Sequence, residues 1–156
     1  PEQKLAELDL ELPAPAAPVG AYVPAVRTGN LVFTSGQIPV RKGELIAKGR
    51  VPDEVREDIA AAAAVQAALN ALAAVKQALG AEGRPGELSS VTRVVRMNVF
   101  VSSSPGFDQQ ARIANAASEV LLLAFGEAGR HTRCAIGAAE LPLGAPVELD
   151  LVVEVR

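Results

Sequence analysis

One arginine stands alone in an otherwise apolar run near the C-terminus. It is Arg133, in the segment HTRCAIGAAELPLGAPVELDLVVEVR that spans 131–156. Burying a guanidinium without a partner costs several kcal/mol, so Arg133 requires an anion. The last part of the same segment carries carboxylates at alternate positions, Glu148, Asp150 and Glu154. Two chemistries are open. Arg133 closes an internal ion pair with one of them, or it holds an anionic ligand beside a carboxylate that orients or deprotonates water. The second arrangement suits a small anionic substrate attacked by water.

The other reactive side chains support less. A single Cys134 and a single His131 cannot assemble a metal cluster of the usual kind within one subunit. Cys134 reads as a small core hydrophobe and His131 as a surface or hydrogen-bonded residue. Ser35 has no G-x-S-x-G setting and no placed base, so nothing marks it as a nucleophile.

Composition narrows the class. The chain has 156 residues, 49% of them apolar, which fits one domain with its own core. No unbroken apolar run approaches the ~20 residues that span a bilayer, and the charged start PEQKLAELDLEL lacks the apolar stretch of a signal peptide. One cysteine precludes an internal disulfide. These features predict a soluble, cytoplasmic domain with no membrane partner. A formal net charge of −3, one Tyr, four Phe and no Trp argue against a nucleic-acid binder that neutralises phosphates or stacks bases.

The elements that must position Arg133 and Glu148 can be read along the chain. A short N-terminal helix and a Pro/Ala-rich connector, LPAPAAPVG (12–20), form an extension over 1–20, and the domain proper runs over 21–156. Ala21 to Val26 and Leu31 to Ser35 read as strands joined at Thr28-Gly29-Asn30, with a second turn at Arg41-Lys42-Gly43. Asp53 is placed to cap a long helix running to Leu79, with Val55, Ile59, Ala62, Leu69, Leu72 and Leu79 at helical spacing and Gly80 after its end. Ser89 to Val101 alternates as a strand, with Val91, Val95, Met97, Val99 and Val101 on one face. Ser104-Pro105 is placed to open a second helix ending before Gly126. In the final strand Val147, Leu149, Leu151, Val153 and Val155 point one way and Glu148, Asp150 and Glu154 the other.

The order ββ(β)αβαββ predicts an α+β domain, a mixed β-sheet with two helices packed on one face. The other face, with Val94, Phe100 and Val152, is half apolar and predicts an oligomer interface. Alternation is expected to turn Cys134, Ile136 and Ala138 toward the helices. Arg133, Ala135 and Gly137 then fall on the open side with Glu148, across a hairpin from it.

The segments GAYVPAVRTGNLVFTSGQIP, IANAASEVLLLAFGEAGRHTRCA and LPLGAPVELDLVVEV together resemble the Rid (reactive intermediate deaminase) or YjgF family, also known as the L-PSP endoribonuclease family. The resemblance covers about Val19 to Val155, with the N-terminal extension marking a divergent branch. It implies a chorismate-mutase-like fold and a homotrimer with clefts between subunits. It also implies cofactor-free, metal-free hydrolysis of reactive enamines and imines to 2-keto acids and ammonia. By position, Arg133 matches the arginine that holds the substrate carboxylate and Glu148 the glutamate associated with the attacking water. Tyr22 matches a tyrosine lining the cleft, Ser35 and Gly36 the SG pair of its wall, and Asn115 a supporting helix asparagine. One departure stands out: the deaminases carry a cysteine two residues after the arginine, where this chain has Ala135.

Three functions follow as expectations. The first is a hydrolytic deaminase of 2-imino and enamine acids, of the 2-iminobutanoate/2-iminopropanoate type. The second is a non-catalytic binder of small carboxylates such as 2-keto acids. The third, which the acidic balance disfavours, is an endoribonuclease.

Overall fold

The computed structural model describes residues 1–15, 17, 20–81 and 86–156, so the connector read over 12–20 lies partly outside the described residues. The described residues form three α-helices, α1 (Glu2–Ala6), α2 (Glu57–Ala81) and α3 (Gln110–Phe125). The strands are β1 (Ala25–Thr28), β2 (Leu31–Thr34), β3 (Val40–Arg41), β4 (Glu44–Leu45), β5 (Val91–Ser102), β6 (Thr132–Ala138) and β7 (Val147–Val155). A mixed five-stranded sheet has the order β1-β2-β7-β5-β6, and β3 and β4 form a separate small hairpin. The expected α+β architecture, a mixed sheet with α2 and α3 on one face, is what the chain adopts.

The sheet is built around β7. Its alternation is complete, with Val147, Leu149, Leu151, Val153 and Val155 all buried against the helices. β7 pairs antiparallel with β2 on one side and with β5 on the other. β6 therefore does not form a hairpin with β7, as the turn at 139–146 had suggested. It pairs parallel with β5 at the sheet edge, because α3 returns the chain to the same end of the sheet, and a crossover of that kind yields a parallel neighbour.

Helix α2 lies almost wholly in the core. Ala60, Ala63, Ala64, Ala67, Ala68 and Ala71 are buried, and their small side chains let the helix approach both the sheet and α3 closely. Residues 57–80 are long and apolar enough to cross a bilayer, yet 72% of that apolar window is buried inside the domain, as for a core helix. The helix starts later than expected. Asp53 sits in a turn whose Glu54 and Val55 N–H groups donate to the Arg50 carbonyl, and Glu57 and Asp58 supply the acidic first turn. This phase turns Ile59 and Ala62 outward, so only part of the predicted stripe is buried.

The second helix also begins late. Ser104-Pro105-Gly106-Phe107 is a turn closed by the Phe107 N–H to the Ser104 carbonyl, with Gly106 at φ +84°, and α3 starts only at Gln110. Proline after serine suits the second position of such a turn as well as a helix start, and the glycine that follows decides between them. Gly126, at φ +61°, ends α3 as expected.

At the N-terminus, Leu5 is fully buried and Leu10 and Leu12 pack against the core. Glu2 accepts the Leu88 N–H at 3.0 Å and pairs with Lys76 at 3.4 Å.

Candidate functional site

Strand register assigns each candidate side chain to a face. On the helix side the rows read Arg133–Met97–Leu151 and Ala135–Val99–Leu149. On the open side they read Cys134–Asn98–Asp150 and Ile136–Phe100–Glu148. The faces expected for β6 are thus reversed. Arg133 and Ala135 point toward α3, whereas Cys134 and Ile136 are exposed on the open sheet. As a parallel edge strand, β6 takes its phase from β5 and not from β7, which a hairpin reading could not supply. Within β5, irregular pairing near Arg93 and Arg96 moves Val94 into the core, with Val95 on the other face, reversing another expectation.

Arg133 meets three groups on α3. Its Nη1 donates to Asn115 Oδ1 at 2.8 Å and to Ser118 Oγ at 3.0 Å, and Nη2 reaches the Ala111 carbonyl at 3.5 Å. All three acceptors are neutral, and among the described residues Arg133 has no carboxylate partner. The internal ion pair with Glu148 or Asp150 does not form. With Nη1 held on the helix, the side-on edge made by Nε and Nη2 is the part of the fork left for an anion.

Behind this arginine runs a directional chain of hydrogen bonds. His131 Nδ1 lies 2.7 Å from the Gly129 carbonyl, which can only accept, so Nδ1 carries the proton. In the neutral ring Nε2 then accepts from Ser118 Oγ, 3.1 Å away, which leaves the serine lone pairs to receive Arg133. Sequence reasoning identified Asn115 but not Ser118 or this role of His131. The signal was the helical stripe Ala111, Asn115, Ser118 and Leu122, spaced four, three and four residues apart on one side of α3.

Glu148 stands on the other face, in a second cluster. Its carboxylate packs against Gly36, where a methyl group would collide with Oε1. Gln37 pairs with Leu149 through two backbone hydrogen bonds of 2.7 and 3.0 Å, which pins this stretch beside β7. Ser35 Oγ donates to the Val23 carbonyl at 2.6 Å, so its hydroxyl ties two loops together. Tyr22, next in chain to Val23, is exposed. Below Glu148, Asn98 donates through Nδ2 to Asp150 Oδ1 at 2.9 Å and accepts through Oδ1 from Arg96 Nε at 3.0 Å. Burial raises the Glu148 carboxyl above its usual range, and the Asp150 charge adds to the effect. Burial also raises Asp150, with Asn98 and Arg96 opposing it.

The structure therefore brings Arg133 to Asn115, and Glu148 to Gly36 beside Ser35. It does not bring these two groups together within one chain, because the sheet separates them. The open face between them exposes Val26, Phe33 and Ile136.

Residues 2–155 match the family model described as "YjgF/chorismate_mutase-like, putative endoribonuclease". The chain belongs to this YjgF, or Rid, family. It is 42% identical over 153 residues to Protein TCP17 of Trypanosoma cruzi, covering 97% of this chain and 92% of that protein. It is 30% identical over 139 residues to the 2-iminobutanoate/2-iminopropanoate deaminase of Escherichia coli strain K12, covering 89% and 90%. Among solved structures, a protein of unknown function from Agrobacterium tumefaciens superposes with a TM-score of 0.91 at 41% identity, covering 99% of this chain and 92% of that one. The structure of E. coli TdcF with bound serine superposes with a TM-score of 0.58 at 30% identity, covering 92% and 93%.

Proposed function

We propose that the protein is a hydrolytic deaminase of reactive 2-imino and enamine acids, working at clefts between copies of the chain in a homotrimer. The observation that carries this reading is Arg133, held by Asn115 and Ser118 with no carboxylate partner among the described residues and with one edge of its fork left over. Relatives named 2-iminobutanoate/2-iminopropanoate deaminase and a relative solved with bound serine support a small amino- or imino-acid ligand. Because the Arg133 and Glu148 clusters lie on opposite faces, a complete site needs Glu148, Gly36, Ser35 and Tyr22 of one copy opposite Arg133 and Asn115 of another. The exposed apolar side chains of the open face supply surface for that assembly.

In such a cleft Arg133 holds the substrate carboxylate side-on, and Glu148 accepts a hydrogen bond from the attacking water. Water adds to the imine carbon and gives one proton to nitrogen, forming a carbinolamine. The hydroxyl proton then passes to nitrogen as the C–N bond breaks, leaving a 2-keto acid and ammonia. Holding and orienting the reactants suffices for so reactive a carbon, and the steps named here use neither metal nor organic cofactor. The experiment is keto-acid release from 2-imino acids generated in situ by an amino-acid oxidase, with light scattering on the same preparation. Acceleration by a species of about three chain masses supports the reading, and a stable monomer that accelerates nothing retires it.

A second reading is a small-carboxylate binder without turnover. It is favoured by Ala135, which puts a methyl group where the deaminases have a thiol, on the same face as Arg133. Saturable 2-keto-acid binding with no acceleration would select it. Cleavage of RNA that persists through further purification would select the endoribonuclease of the family's older name.

A further inference from the structure

Arg133 opens into a cavity of about 420 Å³ lined by Ser118, Leu122, Arg130, His131 and Arg133. Two guanidinium side chains line this space and, among the described residues, no carboxylate does. A ligand that displaces Glu127 from Arg130 meets two cations, more than one carboxylate requires. Both ring nitrogens of His131 are engaged, one by Gly129 and the other by Ser118. Its part is to fix Ser118, and through it Arg133.

Arg130 is the second cation. Among the described residues its side chain is tied to Glu127, three residues before it, at 3.0 and 3.2 Å, with both side chains largely in water. An exposed pair of this kind is worth about 1 kcal/mol or less, so an incoming anion can take over the guanidinium with little loss. Between the two arginines, Leu122 is 41% exposed and offers an apolar wall. The volume lies within the usual range of small-molecule pockets.

We infer that this site selects 2-imino and 2-keto acids carrying a second carboxylate, of four or five carbons, over the monocarboxylates of the same length. Arg133 takes the carboxylate beside the reacting carbon, Leu122 packs against the methylene chain, and Arg130 takes the distal carboxylate in exchange for Glu127. The inference rests on the proposed site at Arg133 and adds Arg130 as the residue that determines specificity.

Calorimetric titration of the protein, in whatever oligomer it forms, with 2-oxoglutarate and with 2-oxopentanoate tests it. 2-Oxoglutarate is expected to bind about tenfold or more tightly, the equivalent of one charge-assisted contact of about 1.4 kcal/mol. Arg130→Gln should bring the ratio of the two affinities to within about twofold, and Glu127→Gln, which removes the competitor, should widen it. Both positions are exposed, so these variants should fold. Equal affinities in the unmodified protein, or a preference that survives Arg130→Gln, overturns the inference. Arg133→Gln separates the two layers: loss of both acids keeps the Arg133 site even where the preference is absent. Unchanged binding of both acids to Arg133→Gln removes the site and the inference together.

Discussion

Replacing Arg133 by lysine keeps the charge and removes the planar fork, and the structure sets different magnitudes for its effects on stability and on binding. Arg133 bonds to Asn115 Oδ1, Ser118 Oγ and, at longer range, the Ala111 carbonyl. These acceptors lie at the protein surface and regain water when the guanidinium leaves. The net loss of the two shorter bonds is then about 1 kcal/mol in total, below the range for hydrogen bonds to a charged group because water replaces both. In a domain of this size that lowers Tm by roughly 2–4 °C. Had Arg133 been half of a buried ion pair, its removal would cost about 3–5 kcal/mol, and a Tm loss several times larger. Binding should respond more strongly. A carboxylate that loses one charge-assisted contact of about 1.5–3 kcal/mol binds roughly ten- to hundredfold more weakly. Thermal melts and 2-keto-acid titrations on the purified Arg133→Lys protein decide the matter. A fall in Tm above about 10 °C with unchanged keto-acid affinity would refute the reasoning, because it would make Arg133 a structural strut and not a ligand clamp.

Glu148→Gln should raise Tm near neutral pH while lowering turnover. Glu148 and Asp150 both titrate above their ordinary values, so the folded chain holds these protons more tightly than the unfolded one. Their contribution to stability is fully present below the unfolded carboxylate pKa of about 4 and is lost as pH rises through the raised folded value. The Tm gain of the variant should therefore vanish in melts near pH 4, and a gain independent of pH would show that burial of the charge is not its cause. Gly36→Ala should leave Tm nearly unchanged, since what must move is the flexible Glu148 side chain, its carboxyl group most of all. It should still slow deamination about ten- to hundredfold by misplacing that carboxylate, and full activity would remove Glu148 from the site. Cys134→Ser should change stability by less than about 0.5 kcal/mol in chemical denaturation, because the thiol is exposed on the open sheet. If that face forms the assembly, Cys134 should react with a thiol reagent much faster in dilute, dissociated protein than in the oligomer.

Much of the fold was legible because it rests on periodicity. The alternation of β7 and the alanine-rich run of α2 are local patterns, and burial followed them. The segments 20–39, 113–135 and 141–155 carried enough of the family's pattern to give the fold class and to single out Arg133, Glu148 and Asn115. Start signals were weaker, because Asp53 and Ser104-Pro105 suit turns as well as helix caps, and the residues that follow them chose turns.

What the sequence could not determine was the side of the sheet on which each group lies. A strand's two faces alternate with period two, so the phase of β6 depends on its neighbour, and that neighbour is β5 rather than the sequence-adjacent β7. The tertiary structure alone put Arg133 under α3, sent Cys134 to the open face and parted Arg133 from Glu148. Residue types and their order state which groups can do chemistry. Which of them share a space depends on strand order, because pairing between distant segments is set by packing of the whole sheet and not by any local preference.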